Sequence, residues 1–192
     1  MSNLLRIRTI KSGVLALALL ASARICSAQA MVGADRGSEI VPFGYVSILS
    51  TDWGPYHNYG YTVGVDYTRF IRSIVQPSLE FRYNSANGKT VSEHSYEGGL
   101  KLQTTIRGFH PYATILYGHG DIKFNYYIPG YSGDASGIYA FGGGADFNVG
   151  PQWKVRLDYS RQHWNLDPNT LTPSTLGVGV AYTVPFHSGR PH

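Results

Sequence analysis

The chain has 192 residues, of which 16 are Lys or Arg, 12 are Asp or Glu and one is Cys. Four of the basic residues and the single cysteine, Cys26, lie within the first 30 positions, so residues 31–192 carry twelve charges of each sign. That balance gives no reason to expect a nucleic-acid partner, and residues 31–192 have no cysteine for a disulfide or a thiolate site. The length fits a single domain.

The first 30 residues have the pattern of a secretory signal peptide. A basic start precedes an apolar run over residues 14–23, and Ala28-Gln29-Ala30 has the form of a cleavage site. The apolar run is too short to cross a bilayer as a helix, which needs ~20 residues. We therefore expect residues 1–30 to be cleaved during export and residues 31–38 to form a periplasmic N-terminal segment.

The rest of the sequence alternates apolar residues with small or polar ones, which is typical of β-strands. The first such segment alternates poorly. The last is the most regular, because every even position from Leu176 to Phe186 is large and apolar and every odd position is small or weakly polar. The pattern predicts eight strands, over residues 40–50, 59–68, 75–84, 96–106, 109–120, 138–149, 153–160 and 176–186.

The predicted connections alternate between tight turns and longer polar links. The tight turns lie at residues 71–73, 107–108 and 150–151. The longer links lie at residues 51–58, 85–93, 121–137 and 164–172. An even number of strands with tight turns at one end and long loops at the other is typical of bacterial outer-membrane barrels. The tight turns and both termini would then face the periplasm.

Alternation alone does not decide which face of a barrel is outside, because a soluble lipocalin-like barrel has apolar side chains within. Three features favour an apolar exterior. The apolar faces carry aromatics at both ends and aliphatics between them, as from Tyr59 to Tyr67, which matches the interfaces and core of a bilayer. The polar faces are rich in glycine and alanine, and the chain has an export signal. We predict an all-β, eight-stranded, antiparallel up-and-down transmembrane β-barrel over residues 39–186, with residues 187–192 as a short C-terminal tail.

Several stretches resemble the outer-membrane β-barrel-domain family, the small eight-stranded transmembrane barrels of OmpA/OmpX type. The matching stretches are Phe43-Gly44-Tyr45, Pro111-Tyr112-Ala113, Leu116-Tyr117-Gly118, Phe141-Gly142-Gly143-Gly144-Ala145-Asp146, Val155-Arg156-Leu157-Asp158-Tyr159 and Gly177-Val178-Gly179. The resemblance implies an outer-membrane location and a terminal strand that the barrel-assembly machinery recognises. Six residues follow the terminal aromatic here, which departs from the family pattern. The implied assembly signal consists of Val178, Val180, Tyr182, Val184 and Phe186.

If the polar faces point inward, nine charged residues share a lumen too narrow for bulk water. They are Asp66, Glu80, Arg82, Glu97, Lys101, Asp146, Lys154, Arg156 and Asp158. Buried charges persist only when they are paired, so we expect this lumen charge network to be a structural, salt-bridged plug. A gate whose pairs switch would use the same residues and is the alternative. Three-residue turns at residues 149–151 and 71–73 place Asp146 opposite Lys154 and Gly64 opposite Glu80, and the two-residue turn at residues 107–108 places Glu97 opposite Gly118.

The histidines and serines do not form a recognisable catalytic pattern. His94 and Ser95 are adjacent, so on a strand their side chains point to opposite faces, and Ser160 and His163 also differ in parity. Partners from different strands leave a triad possible, with His119 as a further candidate. We predict no catalytic residue, no metal site and no cofactor.

Three functions stay open. The leading hypothesis is a non-enzymatic outer-membrane protein with an envelope-structural or surface-interaction role through its long extracellular loops. The alternatives are a narrow or gated channel for small solutes and a lipid-A-modifying enzyme. The expected partners are outer-membrane lipid and lipopolysaccharide, the barrel-assembly machinery during biogenesis, and an unidentified surface partner. A possible contact surface in the loop over residues 121–137 consists of Phe124, Tyr126, Tyr127 and Tyr131.

Overall fold

A computed structural model of the protein describes residues 38–52, 57–69, 74–128, 131–166 and 169–186. The predicted signal peptide, residues 31–37 and the tail 187–192 lie outside the described residues, as does the predicted turn at 71–73. Within the described ranges, no helix is long and apolar enough to cross a membrane.

The regular structure of the described residues consists of β-strands. They are β1 (Ser38–Ser50), β2 (His57–Arg69), β3 (Gln76–Asn87), β4 (Val91–Gln103), β5 (Phe109–Ile128), β6 (Tyr131–Asn148), β7 (Trp153–Leu166), β8 (Asn169–Leu171), β9 (Ser174–Tyr182) and β10 (Val184–Phe186). β9 and β10 form one barrel strand interrupted at Thr183, because both pair with β1 in a single register. β8 is a short extension that pairs with the end of β7. The eight predicted barrel strands are therefore all present.

The sheet is closed, because each barrel strand pairs antiparallel with the next and the last pairs with the first. A path at right angles to the strands that starts at Ile40 returns to β1 at Ser50, ten residues further along. Barrels with such a stagger have strands tilted by about 40° to the barrel axis. Closure pairs the backbone groups along the wall, which is the condition for a sheet to cross a bilayer.

Side chains alternate between the interior and the exterior of the barrel along its strands. Val178 and Val180 on the exterior are half exposed, whereas Ala181 between β1 and β7 is buried. β1 alternates poorly in sequence because its interior face is apolar too and carries Val41 and Phe43. The faces predicted for β2, β3, β4, β7 and β9 are confirmed by their burial patterns.

Exterior tyrosines form a ring near the end of the barrel opposite the 107–108 turn. The aromatic side chains of neighbouring tyrosines in this set are in contact, with ring centroids 4.8 Å apart for Tyr83 and Tyr96 and 5.0 Å apart for Tyr117 and Tyr139. Tyrosine is enriched where a barrel wall meets the lipid headgroups. We call this set the outer tyrosine ring, and its members are Tyr61, Tyr83, Tyr96, Tyr117 and Tyr139.

The turn between β4 and β5 matches its prediction. Arg107 and Gly108 both have positive φ angles, 50° and 83°, as a type I′ hairpin turn requires. Ile106 and Phe109 exchange backbone hydrogen bonds of 2.7 and 3.0 Å on either side of it. The register that follows, with Glu97 opposite Gly118, is confirmed.

The other two predicted registers are wrong by two residues. Asp146 lies opposite Arg156, not Lys154, because the Val149 amide still donates to the Trp153 carbonyl and the turn begins only at Gly150. Gly64 lies opposite Arg82, not Glu80, and Asp66 takes the position opposite Glu80. The last pair of this ladder joins Thr68 to Ser78, so the ladder ends before the predicted turn at residues 71–73.

The predicted long loop over residues 121–137 is wrong as well. β5 and β6 continue through it as a hairpin, pairing Lys123 with Gly133 and, after an irregularity, Ile128 with Tyr131. Small residues such as Gly133 and Ser136 made this stretch look like a loop, but cross-strand pairing holds it extended. β4 pairs with β5 only as far as Phe124, so the hairpin continues beyond the barrel wall.

Candidate functional site

The nine charged residues of the lumen charge network all lie in the barrel interior, and each is at least nine-tenths buried. Eight of them form two clusters of four, and the ninth, Lys154, pairs with Glu39. We call the cluster nearer the outer tyrosine ring the upper cluster and the other the lower cluster. The lower cluster consists of Asp66, Lys101, Asp146 and Arg156, and the upper cluster of Glu80, Arg82, Glu97 and Asp158.

In the lower cluster two cations bridge two carboxylates. Arg156 donates from Nε to Asp146 at 2.7 Å and from Nη2 to Asp66 at 2.7 Å, while Lys101 donates to Asp66 at 2.6 Å. The guanidinium carbon of Arg156 lies 4.1 Å from the ring centroid of Phe43, so an aromatic face covers the cation. The four charges balance within this cluster. Short, hydrogen-bonded contacts of this kind are what a buried ion pair needs to offset the cost of removing its charges from water.

The upper cluster is centred on Arg82. Its Nε and Nη2 atoms lie 2.8 and 2.7 Å from Glu97 Oε2, an almost fully desolvated contact. Its Nη1 atom lies 3.6 Å from Asp158. Asp158 in turn accepts hydrogen bonds from the hydroxyls of Tyr45 at 3.1 Å and Tyr112 at 2.6 Å. The two tyrosine hydroxyls therefore hold the Asp158 carboxylate, because Arg82 at 3.6 Å is too far away to donate a hydrogen bond to it.

The second oxygen of Glu97 is held by neutral groups. Its Oε1 atom accepts from Asn84 Nδ2 at 2.8 Å, Ser95 Oγ at 2.9 Å and Gln162 Nε2. Trp164 Nε1 donates to Gln162 Oε1 at 2.9 Å, which orients that amide. Glu97 therefore joins an ion pair on one side to a hydrogen-bonded chain that leads towards the extracellular end.

Two predicted members are held less tightly. Glu80 Oε1 lies 3.6 Å from Arg82, across the strand pair from Asp66. Lys154 lies 3.7 Å from Glu39 near the periplasmic end. Glu39, Tyr45 and Tyr112 were missed by sequence reasoning. The poor alternation of β1 hid the first two, and Tyr112 lay on a strand whose faces were not assigned.

An apolar cluster fills the extracellular end of the interior, beyond the ions. It consists of Val91, Ile122, Ile138, Trp164, Leu166 and Leu171. Phe124, a member of the predicted contact surface, packs against this cluster from the hairpin. Tyr126, Tyr127 and Tyr131 lie on the strands of the hairpin, and their side chains lie outside the described residues.

Glu93 lies beside the apolar cluster, three residues before Tyr96 and so ~10 Å beyond the outer tyrosine ring along the strand. It is 5% exposed, and its Oε2 atom has no hydrogen-bond partner among the described residues. Burial, and next the negative charge of Asp52, raise the pKa of this carboxyl to about 7. Sequence reasoning missed it because it lay in a predicted loop.

The terminal strand shows exterior valines at Val178, Val180 and Val184. The ring of Tyr182 packs edge-on against Trp153, with centroids 4.9 Å apart, near the periplasmic end. The backbone of Phe186 pairs with Ser38 at the start of β1. The strand implied as the assembly signal is thus the strand that closes the barrel.

The candidate catalytic side chains are separated by the barrel wall. Ser95 and Ser160 are buried inside, whereas His119 and His163 are exposed outside. On the exterior, His94 lies between Ser85 and Asp121 on the neighbouring strands. Its Nδ1 atom, however, shares a hydrogen bond of 3.2 Å with the Tyr83 hydroxyl. The described residues contain no group of three or more His, Cys, Asp or Glu able to hold a metal ion.

A closed barrel with an apolar exterior, an outer tyrosine ring and paired charges inside defines an integral outer-membrane β-barrel. The chain belongs to the family of the outer membrane protein beta-barrel domain, whose model matches residues 14–183. The protein is therefore located in the outer membrane.

Solved structures with this fold share little sequence with the chain. Neisserial surface protein A is 12% identical, with a TM-score of 0.51 over 76% of this chain and 96% of that one. Ail, the attachment invasion locus protein of Yersinia pestis, is 18% identical, with a TM-score of 0.50 over 79% and 100%. No curated protein matches. These likenesses show the fold alone.

Proposed function

We propose that the protein is a non-enzymatic outer-membrane barrel that holds an extracellular β-hairpin for contact with surface partners. The hairpin of β5 and β6 carries this proposal. From Tyr117 in the outer tyrosine ring to Ile128 at the tip, β5 rises by roughly 36 Å along the strand, or roughly 28 Å after ~40° of tilt. A ribbon of that height stands clear of the lipid headgroups.

The base of the hairpin is anchored for such a role. Phe124 packs against the apolar cluster inside the extracellular end. Asn125 donates from its backbone to Thr90 at 2.9 Å and from its side chain to Gly88 at 2.6 Å. These contacts tie β5 to the neighbouring β3–β4 turn. The ribbon therefore projects from a packed base.

A trimmed hairpin tests the proposal. Replacing residues 125–131 by Asn-Gly joins Phe124 to Ser132 through a two-residue turn that suits a hairpin and keeps the packed base. We expect cells with the trimmed barrel to keep their normal outer-membrane permeability and to attach less well to cell-coated surfaces. Equal attachment of both strains, at equal surface levels of protein, would count against the hairpin as the contact element.

The channel alternative has a separate test. The ion pairs and the apolar cluster support a closed interior, so we expect the purified barrel to give no more conductance than an empty planar bilayer. Discrete openings that disappear in a variant of Arg82 would favour the gated channel.

The enzyme alternative rests on His94 between Ser85 and Asp121. Ser85 is 4% exposed, and the Tyr83 hydroxyl is hydrogen-bonded to Nδ1 of His94. Both observations argue against Ser85 as a nucleophile and His94 as its base. We expect the lipid A of a deletion strain to have the same mass spectrum as that of its parent. A mass change restored by the wild-type barrel and not by a His94→Ala barrel would establish the enzyme.

A further inference from the structure

A groove on the lipid-facing side of the barrel is formed where an exterior position has no side chain. Gly98 on β4 lies opposite Phe81 on β3 and Tyr117 on β5. The groove has a volume of about 600 Å³, which is within the usual size of small-molecule sites. Val63, Tyr83 and Tyr96 complete its walls.

Gly98 lies beneath the groove and determines its shape, because its missing side chain leaves room for the ring of Phe81. A Cβ at this position would lie 2.8 Å from Cδ1 of Phe81, so the ring of Phe81 leans over the glycine. The Cα atoms of the two flanking strands lie about 10 Å apart, twice the strand spacing. A chain lying between the ring of Phe81, which covers Gly98, and the ring of Tyr117 would therefore contact aromatic rings on both sides, whereas a chain on a flat part of the wall contacts one side only.

Contact with more than one wall matters because the hydrophobic effect gives an acyl chain no preference between the barrel surface and the surrounding lipid, which are equally apolar. Association within a bilayer depends on van der Waals packing, and small residues permit the close approach that such packing needs. Dispersion is weak per atom pair and adds up over many pairs. A cleft with aromatic walls is thus a preferred place for one acyl chain among those around the belt.

The upper rim of the groove is polar. The Tyr83 hydroxyl and His94 Nδ1 lie 3.2 Å apart above it, and His119 lies opposite Tyr96. Lys123 follows further out on β5, with Asp121 between it and His119. Apolar walls below and hydrogen-bond donors above match the order of a lipid in the outer leaflet, with its acyl chain towards the membrane centre.

We propose that the groove at Gly98 is a binding site for an acyl chain of lipid A, with the polar part of that lipid against Tyr83, His94 and His119. The groove is continuous with the lipid-facing belt and lies just below the outer tyrosine ring, so its occupant comes from the outer leaflet. The site is independent of the contact role proposed for the hairpin.

The same substitution at two valines tests the site. Val63 borders the groove and is 47% exposed, whereas Val178 is 49% exposed on β9, four barrel strands from β4. Val63→Phe fills part of the groove, and Val178→Phe adds the same ring to the opposite wall. The folded barrels are titrated with hexa-acylated lipid A in detergent, and retained lipid is counted by native mass spectrometry.

We expect wild type and Val178→Phe to retain one lipid A with equal affinity and Val63→Phe to bind it about tenfold more weakly. Gly98→Leu provides a second blockage, and heat-modifiable migration on a gel checks the folding of each variant. Equal retention by Val63→Phe and Val178→Phe would overturn the site. Equal binding of phosphatidylethanolamine by the wild type would overturn the assignment to lipid A.

Discussion

Reversing the charge of Arg156 should destabilise the barrel far more than the same change five residues along the strand. Arg156 makes three hydrogen bonds of 2.7 to 2.8 Å to Asp66 and Asp146 and is almost fully buried. Arg156→Glu leaves Lys101 as the one cation in the lower cluster beside three carboxylates. Breaking a buried pair costs ~3–5 kcal/mol, and a like charge at ~4 Å adds ~4 kcal/mol at an effective dielectric constant near 20. We therefore expect Arg156→Glu to lower the free energy of unfolding by at least ~3 kcal/mol.

The matched control is Arg161→Glu, because Arg161 lies on the same strand with its side chain exposed on the exterior. Its substitution should change stability by ~0.5 kcal/mol or less. Urea unfolding in lipid vesicles measures both variants. A loss of ~4 kcal/mol lowers the midpoint by ~2 M for a slope near 2 kcal/mol per M. Equal midpoints for the two variants would refute the argument that Arg156 is a buried, paired cation.

Four further outcomes are expected. Glu93→Gln should leave stability unchanged near pH 4 and raise it by roughly 3 kcal/mol at pH 8, because ionisation of the buried Glu93 carboxyl destabilises the wild-type barrel as the pH rises from 4.5 to about 7; tryptophan fluorescence during unfolding at both pH values measures this. Arg107→Asn should raise the free energy of unfolding by ~0.5–1 kcal/mol, since asparagine accepts the positive φ at this turn better than arginine, as urea midpoints would reveal. Unheated protein in SDS should migrate differently from boiled protein; identical migration would argue against a closed barrel. Phe186→Ala should lower the amount in outer-membrane fractions, whereas deletion of residues 187–192 should not; normal levels of Phe186→Ala would show that the terminal aromatic is not the assembly signal.

The inward and outward faces of most barrel strands could be predicted from the alternation of apolar and polar residues alone. That Asp66 and Arg156 point inward follows from their place between exterior apolar residues. The strand registers were harder to predict, because they depend on the residue at which each turn begins. The amide of Val149 stays in the ladder and moves the turn by one residue, which shifts the whole pairing by two.

The contacts across the lumen could not be predicted from sequence. The contact between Arg156 and Asp66 joins residues 90 positions apart, and it depends on the stagger at which the barrel closes. The hairpin was missed because Gly133 and Asp134 resemble loop residues, although their backbone pairs with β5. The groove at Gly98 depends on how the ring of Phe81 leans, which no alternation pattern contains.

The connection of early strands to late ones through the lower cluster has a consequence for biogenesis. Asp66 on β2 and Arg156 on β7 come together only when most of the barrel has been assembled. Until then, an incomplete sheet holds a carboxylate without its guanidinium partner in the space that will become the lumen. Loop closure over such distances is slow, and it becomes favourable only once the distant partners have met. Charge neutrality of the interior is therefore a property of the finished barrel, and a chain that ends before β7 lacks the cation that makes its own interior stable.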